Sequence, residues 1–529
     1  MVGILSFVGF TLLVAIVSYM ATRKTNENTS DGYFLGGRSL TAGVIAGSVL
    51  LTNLSTEQIV GLNGQAFSEG ILVMAWETLA ALAIVVTALF LLPRYLKGGL
   101  TTVPQFLEKR FDKGTKTIVS ALFLSGYMII FLPIVLYSGA LAISTMFDIP
   151  GMLNVSGTTA LWLTVWGIGI IGSIYAIFGG LKAVAVSDTI NAVGLLIGGL
   201  LIPIFGLMAI GDGGIINGLE TLVDANPEKF NSIGGPEASV PFTTIFTGLM
   251  LVQLFYWGTN QAIIQRALAA KNLREGQKGL MLAAFIKILG PIIVVLPGII
   301  AWHMFQGDLE NADQAYPALV NAVLPPVLTG FFAAVLFGAI LSSFNSALNS
   351  SVTLFGIDIY KEYFDKEASE AKVVKKGKLF GIFLAVGAML IAPFIANAPQ
   401  GLFGYLQEVN GSYSIPILTI VIVGYLSKNI PAIAAKVAIF SGVGLYLSYL
   451  GLKYFVVDEG VLPHYLHVMA ILFVLNVFIM FLIGKWKPRK EPFKLAYTKQ
   501  VDIQPWKLVK PIGIGITILV IAIYVYFAQ

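Results

Sequence analysis

Cysteine is absent from the chain, which excludes disulfides, thiolate metal sites and cysteine nucleophiles. Its three histidines, His303, His464 and His467, fall at the ends of apolar segments without metal-ligand spacing, so they read as interfacial residues. No G-x-x-x-x-G-K-[ST] loop, G-x-S-x-G elbow or H-E-x-x-H helix occurs, so neither ATP-driven work nor intramembrane hydrolysis is supported and no enzyme is expected. Charged residues are only 12% of the 529, and no long polar stretch leaves room for a separate soluble domain. What remains is apolar: 57% of residues are hydrophobic and the mean hydropathy is +0.84, the composition of an integral membrane protein.

A hydrocarbon core of about 30 Å takes roughly 20 apolar residues per helix. About fourteen spans are expected, at 2–21, 41–64, 69–93, 117–146, 158–178, 184–210 and 242–264, then at 279–304, 327–357, 379–397, 401–426, 432–455, 464–484 and 508–527. The first has no basic residue ahead of it and Arg23 and Lys24 directly behind, the charge order of a signal anchor with its N-terminus outside. Loops after odd-numbered spans carry Arg23, Lys24 and Arg38, then the basic residues of 94–116, Lys182, those of 266–278 and 361–378, Lys428 and Lys436, and the 485–510 run. The alternate loops hold only Lys229 and Lys453. That alternation predicts a multi-pass protein of the plasma (inner) membrane with both termini outside. The net charge of +5 follows from loop anchoring and calls for no nucleic-acid partner. The external loop 211–240, rich in Gly and Asn, suits either a cap over an external vestibule or a plain linker.

Two spans are interrupted by polar residues. Leu51-Thr52-Asn53-Leu54-Ser55-Thr56-Glu57-Gln58 lies mid-way through the second, and Trp257-Gly258-Thr259-Asn260-Gln261 late in the seventh. Polar backbone at mid-membrane depth is tolerated only where it faces protein or a water-filled cavity. Each interruption opens a block of five spans, and blocks of odd length insert with opposite orientation, so the pair marks a secondary transporter's binding site. The expected organisation is an extra helix and cytoplasmic loop (1–40), a first five-helix block (41–211), the external loop (212–241), a second inverted block (242–427) and three further helices (428–529).

The ninth span places Ser342, Ser343, Asn345, Ser346, Asn349, Ser350 and Ser351 at spacings that gather oxygens on one face. Such oxygens suit a hard cation such as sodium, and unwound carbonyls from a broken helix complete such a site. The alternative is close helix packing. Glu77, Lys287, Asp188, Gln407, Glu408 and Asn410 also lie inside spans. An ionised side chain at a helix centre costs roughly 2.5–3.5 kcal/mol, so each needs a partner, water or a substrate. Glu77 and Lys287 are candidates for a pair: a structural ion bridge, or part of a polar pocket for a neutral hydroxylated solute. Asp188 either joins a site or snorkels at the interface. Trp76, Tyr256 and Trp257 flank these groups, an arrangement that suits the apolar face and polar rim of a sugar ring.

The strings Asp31-Gly32-Tyr33-Phe34-Leu35-Gly36-Gly37-Arg38-Ser39, Gly179-Gly180-Leu181, Tyr256-Trp257-Gly258-Thr259-Asn260-Gln261 with Ile264-Gln265-Arg266, Ser342-Ser343 and Asp358-Ile359-Tyr360-Lys361 resemble the sodium:solute symporter family. The resemblance covers essentially the whole chain. Within the family, the YWG-x-NQ-x-x-x-QR string and Gln407-Glu408 are most similar to the bacterial sodium/galactose and animal sodium/glucose cotransporters. It implies an all-α polytopic membrane protein with a leucine-transporter-type inverted five-helix repeat, one helix before it and three after. It implies a sodium site on the carbonyls of Leu51, Leu54 and Ala339 and the hydroxyls of Ser342 and Ser343. Sugar contacts fall on Gln58, Glu77, Asn260, Lys287 and Gln407, packing on Trp76, with Asn53 at the inner gate. A second sodium is implied at Asp188, Ser342, Asn345 and Ser346. Trp76, Ala80 and Ala262 depart from the galactose transporters' Tyr, Ser and gating Tyr, and Val186-Ser187-Asp188 with Asn191 replaces the usual W-T-D and Gln.

The resulting expectation is a symporter that couples inward sodium movement to uptake of a neutral sugar, embedded in membrane lipid and sufficient as a monomer. The alternatives are an inositol, N-acetylated sugar, sialic acid or carboxylate symporter of the same fold, or a channel or sensor. Thr52, Ser55, Thr56 and Glu57 are expected to line the vestibule.

Overall fold

A computed structural model describes residues 2–22, 29–309, 311–397, 401–457 and 460–528; Arg23 and Lys24, on which the expected orientation of the first span rests, lie outside them. Among the described residues the chain is helical apart from one bridge between Leu40 and Ala270, at the entrance to one block and the exit of the other's first helix. The helices are α1 (Val2–Thr22), α2 (Ala42–Asn53), α3 (Thr56–Glu69), α4 (Ala75–Val86), α5 (Lys113–Gly126), α6 (Leu132–Phe147) and α7 (Gly157–Ile210). Then follow α8 (Gly248–Gly258), α9 (Gln261–Leu268), α10 (Leu273–Val294), α11 (Leu296–Phe305), α12 (Pro326–Thr353), α13 (Glu370–Ile391), α14 (Leu402–Leu426), α15 (Ala432–Phe455), α16 (Tyr465–Trp486) and α17 (Val509–Phe527).

By length and apolarity, eleven helices among the described residues are able to cross a membrane, fewer than the fourteen or so expected. The shortfall falls on the shorter apolar stretches Leu5–Met20, Ala42–Asn53 and Gly248–Gly258. Two of these are halves of the interrupted spans, short because the chain unwinds beside them. Both breaks lie where the polar strings predict. α2 ends at Asn53 and Ser55 takes the extended conformation of an N-cap before α3; α8 ends at Gly258, and Asn260 caps α9 by accepting from the Ala262 amide. Other boundaries shift. The loop expected at 179–183 is a single reversal at Gly180 (φ 58°, ψ −176°) inside α7, a conformation open to glycine. The ninth span continues beyond 357 as a π-helical stretch, Leu354–Phe364, whose Asp358 accepts hydrogen bonds from Thr102 (3.0 Å) and Ser120 (3.1 Å).

Each broken helix packs against the second helix of the other block: α2 on α10, and α8 on α4. α4 and α10 also pack on each other, so four elements enclose one central region. α7 and α12 pack together, and α1 packs on both. α17 covers α4 and α10, and α15 and α16 pack beside α14.

The 211–240 loop is a cap rather than a plain linker. Past a helix at Ile215–Ala225, the Lys229 ammonium donates to the carbonyls of Phe67 (3.0 Å) and Ser68 (2.6 Å), and the Ser239 hydroxyl to the Glu69 carboxylate (2.5 Å). Carbonyls in a helix's last turn have no partner within the helix, so the loop supplies one for α3. The approach is close enough that a Cβ on Gly70 would clash with the Lys229 carbonyl oxygen.

Candidate functional site

At the first break the amide of Ser55 bonds to the Asn53 carbonyl and that of Gln58 to the Ser55 carbonyl. In a continuous helix those amides would take the carbonyls of Leu51 and Leu54. The unwinding therefore releases the two carbonyls expected to bind a cation. Facing them on α12, the Ser343 hydroxyl donates to the Thr52 carbonyl at 2.7 Å, and the Thr52 hydroxyl lies 3.4 Å from Ser342 and 3.1 Å from Ser346. Ala339 lies one turn earlier on the same helix, and all these residues are buried. The arrangement offers neutral oxygens from two helices, the donor set of a hard alkali cation.

One residue further along the break, the chemistry changes. The Asn53 side chain accepts from the Lys287 ammonium at 2.5 Å and donates to Gln58 at 3.1 Å. Lys287, from α10, also contacts both Glu77 oxygens on α4, at 2.6 and 2.5 Å, and Gln58 donates to Glu77 at 2.5 Å. Three of the expected sugar-contact residues, Gln58, Glu77 and Lys287, thus form one closed hydrogen-bonded cluster with Asn53, the expected gate residue, each at most 7% exposed. Lys287 lies 5.6 Å from the Trp257 ring centre. Above the cluster, Trp76 packs edge-on against Phe403 at 5.0 Å. Gly404, next to Phe403 in the chain, lines a cavity of about 1110 Å³ together with Gly64, Gln65, Tyr405 and Glu408 among others.

Asn260 is close by but differently engaged, accepting from the Tyr127 hydroxyl at 2.7 Å while capping α9. Asn260→Ala is expected to lower stability by about 1 kcal/mol through loss of the cap. Asn260→Asp should retain most of it, a difference readable in thermal unfolding. Gln407 is half-buried on α14, and no side-chain hydrogen bond ties it to the cluster among the described residues. Its neighbour Glu408 turns away, ion-paired to Lys453 at 2.5 Å and bonded to the Tyr454 hydroxyl at 2.8 Å. Asn410 is occupied locally, accepting from Tyr413 at 2.8 Å.

Asp188 does not snorkel: it is 1% exposed and accepts from Ser48 at 2.6 Å. Beside it is the wholly buried Arg266, 3.9 Å from its carboxylate, which donates to the hydroxyls of Ser48 (3.2 Å) and Ser346 and to the Ala262 carbonyl. Arg266 is therefore a site residue rather than the loop anchor its charge suggests. Asn345 is buried on the same face of α12, its carbonyl oxygen without a hydrogen bond. The vestibule role expected of four polar residues also needs correction. Thr52 joins the serines of α12, Ser55 stands at the N-cap position of α3 with its hydroxyl donating to Glu57 at 2.5 Å rather than capping, and all four are buried. Tyr127, missed in the sequence, opens a π-helical turn between α5 and α6, the signal that marks it.

The sodium:solute symporter family matches residues 33–442. The chain belongs to that family. It is 50% identical over 526 residues, 99% of its own length and 91% of the other's, to the uncharacterized symporter YidK of Escherichia coli. It is 33% identical to the sodium/glucose cotransporter of Vibrio parahaemolyticus, covering 85% of this chain and 86% of that one. The human sodium/myo-inositol cotransporter 2 is 29% identical, with 85% of this chain and 70% of that one covered. In three dimensions the symporter overlays a substrate-bound, outward-open sodium-coupled sialic acid symporter with a TM-score of 0.76 at 20% identity, covering 94% of this chain and 99% of that one. The fold is thus of the leucine-transporter class, and family and structural neighbours alike are transporters rather than enzymes.

At the wall of the 1110 Å³ cavity of the symporter, the His464 imidazole accepts from the Leu466 amide at 3.3 Å. Burial, then the nearby His467 and Lys453 charges, hold its pKa down at about 4, below the ordinary 6.5. The folded protein thus binds fewer protons than the unfolded chain as pH falls from 6.5 toward 4, and loses stability across that window. His464→Gln is expected to flatten the fall of the thermal midpoint there; an unchanged slope would contradict the assignment.

Proposed function

We propose that the protein is a secondary active symporter that couples inward sodium movement to uptake of a neutral sugar or polyol by alternating access. One observation carries the reading: neighbouring residues of a single break serve two sites. Thr52 engages Ser342, Ser343 and Ser346 of α12, while Asn53 engages Lys287 and Gln58. An ion bound by the carbonyls of Leu51, Leu54 and Ala339 and the hydroxyls of Ser342 and Ser343 fixes the break, and the fixed break presents Asn53 and Gln58 to the solute. Glu77, Asn260 and Lys287 supply further hydrogen bonds, Trp76 an apolar face, and Gln407 closes the pocket from α14.

A neutral substrate is favoured because Lys287 is already matched by both oxygens of Glu77, leaving no unpaired cation for an acid. Relatives named for glucose and myo-inositol support the hydroxyl-rich class. A second sodium at Asp188, Ser342, Asn345 and Ser346 would have to displace Arg266, so transport is assigned one ion per cycle. The blocks 41–211 and 242–427 act as the inverted repeat, with 1–40 and 428–529 as additions, fourteen crossings in the plasma membrane, both termini outside and the monomer as the working unit. Inward passage of one charge supplies about 2.3 kcal/mol per 100 mV. The test is equilibrium binding of a panel of hexoses, inositols and sialic acid to purified protein across sodium concentrations. A hexose or inositol should bind in sodium and not in potassium, with a Hill slope for sodium near one; preference for sialic acid would overturn the neutral-substrate reading.

A further inference from the structure

On the face that carries the basic loops, opposite the vestibule, a second cavity of about 450 Å³ has no part in the transport site. Its charged walls are Arg94, Lys97, Lys428 and Lys494, and no Asp or Glu lines it. Among the described residues none of these four cations has a carboxylate partner. Four unneutralised positive charges around one hollow of ligand size are a requirement without an answer inside the protein.

Arg94, Lys428 and Lys494 are exposed and Lys97 half-buried, but the hollow between them has a fixed frame. Tyr425 stacks on Phe106 at 4.3 Å with planes 20° apart, and the Arg94 guanidinium lies over the Tyr425 ring, 4.9 Å from its centre. Behind them Arg110, fully buried, donates to the carbonyls of Gly424, Ser427 and Ile430 and fixes the end of α14. The remaining wall is the segment before α17, stitched to the bundle by backbone bonds: Arg489 to Asn429 (2.7 Å), Phe493 to Lys428 (3.0 Å) and Thr498 to Lys97 (3.1 Å). Three separate parts of the chain thus present cations around aromatic rings in one framework.

We propose that this cavity binds a phosphate-bearing anion from the cytoplasmic side, either the headgroup of an inner-leaflet phospholipid or a soluble phosphorylated small molecule. A guanidinium takes phosphate oxygens in pairs and ammonium groups add point charges, while the aromatic wall receives the organic part. Basic pockets between helix ends on the cytoplasmic side are known settings for phospholipid headgroups. The site has a route to transport. Lys97 ends the helical run that carries Glu77, and Lys428 follows the helix that carries Gln407, so an anion held between them ties the inner ends of two helices that contribute to the substrate pocket.

The test uses the full-length protein in phosphatidylcholine nanodiscs, with two arms: phosphatidylglycerol added to the bilayer, or inorganic phosphate added to the buffer at constant ionic strength. Binding is read as a rise in thermal midpoint and, for lipid, as retention in native mass spectrometry. The R94Q/K428Q/K494Q variant should lose affinity for whichever phosphate source stabilises wild type by at least about tenfold. K366Q/K375Q/K376Q, which removes the same charge from exposed positions that do not line the cavity, should keep it. If the cavity variant does not elute as a single folded species, K494Q on the exposed segment is read instead. Response to the lipid arm alone assigns a headgroup, and to the phosphate arm alone a soluble ligand. Equal loss in both triple variants, or no stabilisation of wild type in either arm, overturns the proposal.

Discussion

Lys287→Met is expected to abolish sodium-driven uptake and to destabilise the protein by ~3–5 kcal/mol, because it leaves the Glu77 carboxylate buried without its partner. The ammonium touches both Glu77 oxygens and Asn53, and the pair is at most 1% exposed, so water cannot replace it. The informative comparison is the double variant Glu77→Gln with Lys287→Met. Replacing a buried ion pair by neutral groups of similar volume is often neutral for stability or better. The double variant should therefore recover most of the lost thermal midpoint and still fail to bind substrate. Stability restored together with transport would make the pair a structural bridge and remove it from the substrate site.

The second large effect is expected at Ser343→Ala, which should raise the sodium concentration for half-maximal uptake about tenfold, the loss of one oxygen ligand to a charge. Its hydroxyl reaches across to the Thr52 carbonyl at 2.7 Å, so it belongs to the contact between α2 and α12 rather than to α12 alone. Ser343→Thr, which keeps an oxygen, should remain closer to wild type. Ser351→Ala is the matched control: its hydroxyl is bonded back to the Ala347 carbonyl at 2.8 Å on the same helix. A sodium dependence shifted equally by Ser343→Ala and Ser351→Ala would mean that these serines pack helices and bind no ion.

The breaks were legible in the sequence because hydrocarbon makes polar residues conspicuous. Asn53, Gln58 and Asn260 stand inside apolar runs where a continuous helix has no use for them, and the chain unwinds within two residues of each string's centre. Glu77 and Lys287 were legible as a pair for the same reason: each is too costly alone. Arg266 was hidden by the rule that exposes the others. A basic residue after an apolar run reads as a loop anchor, and only the fold reveals that α9 is a half-helix ending inside the protein against Ser48, Ser346 and Asp188. Thr52 was misplaced because hydropathy gives depth in the membrane but not direction around a helix; its hydroxyl and carbonyl turn to α12, away from the vestibule. Gln407 and Glu408 show the same limit, since adjacent residues on one helix diverge, one half-buried and the other tied to Lys453.

The central claim is that sodium movement drives solute uptake through the break shared by Thr52 and Asn53. Its most direct measurement is uptake of labelled galactose, glucose and myo-inositol into proteoliposomes, with sodium gradient and membrane potential set independently. The account predicts accumulation of at least one of these solutes only with inward sodium, increased by an inside-negative potential and lost in Lys287→Met. Equal accumulation with a potassium or proton gradient alone would contradict it.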